Sequence, residues 1–136
     1  MRNLNRGAVF AALLCSAVQA AAPIQPDVPV MVGGDSEQDA CGGTYQVIRL
    51  NPRGDNFVSL RSRPSTTGRE LARLPSGQSG YLCDSSPDHQ WQGVVYAAPG
   101  KDMDCGVGTP IARKRPYRGP CTSGWVSSRF LELVAG

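Results

Sequence analysis

Three observations predict a small antiparallel all-β domain. Phe57-Val-Ser-Leu-Arg61 alternates, with Val58 and Leu60 facing one side of a strand and Ser59 and Arg61 the other. Beyond the N-terminal stretch, no segment long enough for a helix carries a clean helical period. Short apolar runs recur instead between clusters of Gly and Pro, which is the punctuation of a small barrel or sandwich.

The first residues are read as a secretory signal. Arg2 and Arg6 make a basic start, Ala8 to Leu14 an apolar stretch, and Val18-Gln19-Ala20 a small-residue cleavage pattern. Cleavage after Ala20 and after Ala22 both fit. The apolar run falls far short of the ~20 residues that span a bilayer, so no membrane insertion is expected after cleavage. Cys15 stands where a lipoprotein would carry its acyl chains, but Leu14 before it is not the small residue such a signal needs. Residues 1–22 are therefore assigned to the signal, 23–40 to a flexible segment rich in Pro, Gly, Asp and Gln, and 41–136 to the folded domain. Cleavage removes two arginines from a chain of formal charge +3, leaving too little excess charge to suggest nucleic acid.

Within the domain, Thr44 to Leu50 reads as a strand, and Asn51-Pro-Arg-Gly-Asp-Asn56 as a turn leading into Phe57 to Arg61. Pro64 forbids continuation of that ladder. Glu70 to Leu74 resumes, Pro75-Ser76-Gly77 turns, and Gly80 to Asp84 and His89 to Tyr96 follow as strands. Ala97 to Thr122 is long, irregular and rich in Gly and Pro. Gly124 to Ser127 and Leu131 to Val134 close the domain across a tight Ser128-Arg129-Phe130 turn.

Four cysteines follow the signal: Cys41, Cys83, Cys105 and Cys121. An even number in a small exported domain reads as two disulfides, in any of three connectivities. Cys105 with Cys121 is favoured because both lie in the 97–122 insertion, which leaves Cys41 with Cys83. No C-x-x-C pair exists and His89 is the only histidine, so no metal or cofactor is expected.

Val58-Ser-Leu-Arg-Ser-Arg-Pro-Ser65 and Gly124-Trp-Val-Ser-Ser-Arg-Phe-Leu131 resemble the two ends of bacterial SH3-like (SH3b) domains, L-N-V-R-S-G-P-S and G-W-V-x-x-x-Y-L. Leu71-Ala-Arg-Leu-Pro-Ser-Gly77 resembles that family's strand ending in a Leu-x-x-Gly turn, and Gln90-Trp-Gln-Gly-Val-Val-Tyr96 its W-x-x-V strand. Two departures stand out: Arg63 replaces a usual Gly, and Ala97 to Thr122 far exceeds the ordinary hairpin. The long stretch resembles an exported, cysteine-bearing proteobacterial variety of the family. The resemblance implies a small SH3-like antiparallel β-barrel with one long disulfide-bearing loop. It also implies a periplasmic or secreted, non-catalytic module that binds peptidoglycan stem or cross-bridge peptide. Any enzyme it serves would then act in trans.

The residues themselves offer little for catalysis. His89 beside Trp91 reads as an exposed turn residue, and disulfide-bonded cysteines are not nucleophiles. Asp84 with Asp88, and Asp102 with Asp104, lack the spacing of a calcium loop and read as turn residues. Arg53-Gly54-Asp55 spells an integrin-recognition tripeptide, yet within N-P-R-G-D-N it is ordinary turn chemistry. Arg113-Lys114-Arg115 with Arg118 reads as a solvated loop.

Binding suits the composition better. Tyr45, Phe57, Tyr81, Trp91, Tyr96, Tyr117, Trp125 and Phe130 are many aromatics for so small a core. Trp91 and Trp125 are read as core or rim. Tyr96, Tyr117, Arg61 and Arg63 are the expected ligand contacts, since arginine forks recognise the carboxylates in which stem peptides end. The expected partner is a peptidoglycan peptide or an envelope protein. The alternative is a protein-interaction module, an inhibitor or immunity-type partner of a wall-degrading enzyme, with the 97–122 loop as plug. A small hydrolase is the remaining, disfavoured reading.

Overall fold

The computed structural model describes residues 7–19 and 22–136. Arg2, Arg6 and the Ala20 cleavage position lie outside these residues. Residues 7–19 form no helix or strand, and Val9, Phe10, Leu13 and Leu14 are each more than nine-tenths exposed. No described helix is long and apolar enough to cross a membrane.

The described chain is almost entirely β. Its strands are β1 (Met31–Val32), β2 (Asp35–Asp39), β3 (Gly43–Val47), β4 (Phe57–Arg61), β5 (Glu70–Pro75) and β6 (Ser79–Ser85). They continue with β7 (Trp91–Tyr96), β8 (Pro110–Ile111), β9 (Arg115–Pro116), β10 (Thr122–Ser127) and β11 (Leu131–Ala135). One 3-10 turn, Ser128–Phe130, separates the last two. Seven strands build one antiparallel sheet in the order β11-β3-β6-β7-β10-β4-β5.

The turns are tied by short polar side chains. The Asn51 side-chain oxygen accepts the Arg53 N–H at 3.0 Å, and the Asp88 carboxylate accepts the Ser86 hydroxyl and the Gln90 N–H. Two bridges cross-link the fold, Cys41–Cys83 and Cys105–Cys121, the pairing favoured from the sequence. Such bonds persist in an oxidising compartment.

A closed barrel was expected, and the sheet is open: among the described residues β5 and β11 are not hydrogen-bonded to each other. It nevertheless rolls over on itself. Val47 of β3 and Leu74 of β5 have four strands between them in the sheet but share one buried cluster with Tyr45, Val58, Leu60, Val94, Tyr96 and Val126. Tyr45 fills the centre of that cluster, and its buried hydroxyl has no partner among the described residues. Burial pushes its phenol well above the ordinary range.

The second face of the sheet is buried as well, and its cover is the segment 23–40, read above as a flexible tail. That reading is corrected. β1 pairs with β9, and β2 with β8, so the N-terminal segment and the 97–122 insertion form a second layer. Val30, Val32, Ala40 and Cys41 join Cys105, Val107, Tyr117 and Cys121 in a core against Val95 and Trp125. Alternation along β7 and β10 sends Val94, Tyr96 and Val126 to the first core and Val95 and Trp125 to the second. Gly93 lets the layers meet: a Cβ there would lie 2.7 Å from the Asp84 Cβ and 3.0 Å from Val30 Cγ1.

The cover's leading end is fixed by polar contacts. The buried Ser62 hydroxyl donates to Asp27 at 2.7 Å, Arg69 pairs with the same carboxylate at 3.1 Å, and the Val28 N–H donates to the Ser62 carbonyl. The Ser62 bond, then Arg69, holds the Asp27 carboxyl below the usual aspartate value. A carboxyl depressed in the folded state stabilises above its unfolded pKa, and that contribution is lost as pH falls through the folded value. Hydrogen exchange at the Val28 amide, corrected for intrinsic rate, is therefore expected to rise below the ordinary aspartate range. Asp27→Asn should remove that pH dependence.

Candidate functional site

The ladder between β4 and β10 is a single pair, Arg61 opposite Trp125. The gap between β4, the start of β7 and the 3-10 turn is a groove of about 310 Å³. Its apolar walls are the half-buried rings of Phe57, Trp91 and Phe130. Asp55, Arg61 and Arg129 supply charge, and Ser59, Thr66 and Ser127 hydroxyls.

The local sequence explains each placement. Phe57 and Ser59 alternate with the inward Val58 and Leu60, so they face outward into the groove. Trp91 is fixed at the mouth of β7 by its N–H, which donates to the Ser86 hydroxyl at 3.1 Å. Phe130 is carried by the 3-10 turn, and the Arg129 guanidinium lies 5.0 Å from its ring centroid. The Arg73 guanidinium covers Phe57 at 4.4 Å and pairs with Glu70 at 2.8 Å. Ser59 donates to Glu70 too, and these bonds hold the Glu70 carboxyl below its usual value.

Arg61 spends one nitrogen on the Gly68 carbonyl at 2.9 Å, which fixes its direction. Among the described residues neither Arg61 nor Arg129 is in an ion pair. The groove is thus an aromatic slot with two guanidinium groups outside any ion pair among the described residues and one carboxylate. Such a slot can stack an extended peptide and hold a carboxylate through arginine forks.

Of the four expected contacts, only Arg61 lines this groove. Arg63 is exposed and bound into its own loop, donating to the Thr67 carbonyl at 3.3 Å and hydroxyl at 3.0 Å. Tyr96 and Tyr117, expected on an exposed surface, are 5% and 4% exposed and belong to the two cores, so neither lines this groove. Burial raises both phenols. Phe57, Trp91, Phe130 and Arg129 are the groove residues that the sequence reading did not select. Their signal was the outward position on a strand and the one basic residue of the closing turn.

His89 sits at the tip of its turn with φ of 59°, and its Nδ1 lies 3.1 Å from the Ser85 hydroxyl. The serine also donates to the Ser86 carbonyl, so the contact closes a turn. Asp84 accepts the Met31 and Ser85 N–H groups, and Asp104 the Gly106 N–H. No group of three or more metal-ligating side chains occurs among the described residues. No family model, curated protein or solved structure matches this chain.

Proposed function

We propose that this protein is a non-catalytic, SH3-like binding module of the periplasm or the secreted fraction, and that its groove recognises peptidoglycan stem or cross-bridge peptide. The groove that places Phe57, Trp91 and Phe130 beside the unpaired Arg61 and Arg129 carries this reading. Aromatic faces suit a thin extended chain at low entropic cost, and two guanidinium groups suit its carboxylates. Asp55, on the groove's wall, suits a peptide ammonium. The two disulfides accord with an exported protein.

The plug reading of the 97–122 segment has less support. Cys105, Val107, Tyr117 and Cys121 are buried in the second core and tie the segment down between its exposed stretches 98–104, 108–110 and 112–115.

The test is co-sedimentation of the oxidised mature protein with purified sacculi, and with sacculi stripped of stem peptides by an amidase. Binding is expected to the first and not the second. Arg61→Gln with Arg129→Gln should weaken it about tenfold or more, as expected for losing charge-assisted hydrogen bonds. Arg63→Gln should leave it unchanged. Equal binding to stripped sacculi would overturn the peptide reading, and no binding to either would favour a protein partner.

A further inference from the structure

A second concavity lies in the cover layer and shares no lining residue with the groove. One wall is Val32, Ile111 and Pro116 from the short paired strands; the other is Tyr117 and the disulfide loop, with about 440 Å³ between them. Small-molecule sites fall in the range of about 300–1,000 Å³. Arg115 and Arg118 also line this cleft, and no acidic residue does. The acidic strand β2, although it pairs with β8, contributes no lining residue. Among the described residues, neither arginine is in an ion pair or donates a side-chain hydrogen bond.

The cleft is rigid and its remaining polar chemistry is sparse. The Tyr117 hydroxyl donates to the Cys105 carbonyl at 2.8 Å and accepts the Cys121 N–H at 3.1 Å. It is satisfied inside the disulfide loop, so tyrosine offers the cleft a ring and no free hydroxyl. The Gly106 N–H is taken by Asp104, and the Tyr117 N–H by the Val30 carbonyl. The Cys105–Cys121 bridge and the pairing of Val32 with Arg115 hold the two walls in place. What such a site offers is an apolar floor fixed before any ligand arrives, lined by two exposed guanidinium groups. Preorganisation of this kind lowers the entropic cost of binding.

We propose that this cleft binds an organic oxyanion, a carboxylate or phosphate joined to an apolar body. The anion sits between Arg115 and Arg118, and the body rests on Val32, Ile111, Pro116 and the Tyr117 ring. The site is independent of the peptide groove, and its failure leaves that reading intact.

The experiment is a two-dimensional amide NMR titration of the oxidised mature chain with phenyl phosphate and with benzoate. Benzyl alcohol serves as the uncharged control and inorganic phosphate as the charge-only control. Saturable shifts are expected at the Ile111, Tyr117 and Gly119 amides with at least one of the two aromatic anions, and far weaker ones with either control. Arg115→Gln with Arg118→Gln should weaken binding about tenfold or more, while Arg61→Gln with Arg129→Gln leaves it unchanged. Arg118→Gln alone, outside every strand, repeats the test without touching β9. No saturable shift at these amides, equal affinity in the Arg118→Gln chain, or equal affinity for either control overturns the proposal.

Discussion

Replacing Cys41 and Cys83 together by alanine is expected to lower the unfolding free energy by about 4 kcal/mol. The bridge closes a sequence separation of 42 residues, and the chain-entropy relation gives that magnitude for a loop so long. A domain of this size holds a net stability of about 5–15 kcal/mol, so much of the margin goes with one bridge. Cys41 lies two residues beyond β2, and Cys83 lies within β6, so this bond staples the cover layer to the main sheet. Without it, β1 and β2 keep short ladders to β9 and β8 and the Met31 N–H bond to Asp84 of β6. The companion substitution at Cys105 and Cys121, with a separation of 16, is expected to cost about 3 kcal/mol and to disturb mainly the Arg115–Arg118 cleft. Urea titrations of the two double variants decide the order. A larger loss from the shorter bridge would mean that native-state packing around Tyr117, not chain entropy, governs the fold.

The strands of the main sheet were legible because each keeps a partly solvated face or a sharp stop. Phe57 to Arg61 shows its alternation openly and is β4 residue for residue, and the Ser128–Phe130 turn was visible between two apolar runs. The cover layer was not legible. β1 and β9 are two residues each, too short for any period, and they pair across more than half the chain. Only the alternation of Val28, Val30 and Val32 marked the N-terminal segment, and the prolines and glycines around it read as a tail. Misplacing Tyr117 followed from the same omission, because its ring belongs to the core under the cover. Tyr96 has a different cause: it lies in the first core with Val94, on the face of β7 that the cover does not touch. The contiguous Val94-Val95-Tyr96 run was the contrary signal, since unbroken apolar strands are buried on both faces. The groove was half legible: Arg61 was chosen, but the convergence of Phe57, Trp91 and Phe130 depends on how three separate elements approach one another.

Trp125→Ala is the single substitution expected to cost most, about 3–5 kcal/mol, the usual range for emptying a buried tryptophan site. Trp125 is 3% exposed and lies in β10 beside both Gly93 and Arg61. Its indole N–H donates to the Val28 carbonyl at 2.9 Å, so the same side chain that fills the second core also holds down the cover. Trp125→Phe separates the two roles. Phenylalanine retains most of the apolar contact but leaves the Val28 carbonyl without its donor, a loss of about 1–3 kcal/mol if that carbonyl stays dry. Urea unfolding followed by the remaining Trp91 fluorescence measures both losses, and amide exchange locates them. In either variant, exchange should rise at the Val28 and Tyr117 amides, which bond to Ser62 and Val30, before it rises in β4 or β5. Protection lost uniformly across the sheet would instead make Trp125 a core residue of the whole domain, with no separate role in holding the cover.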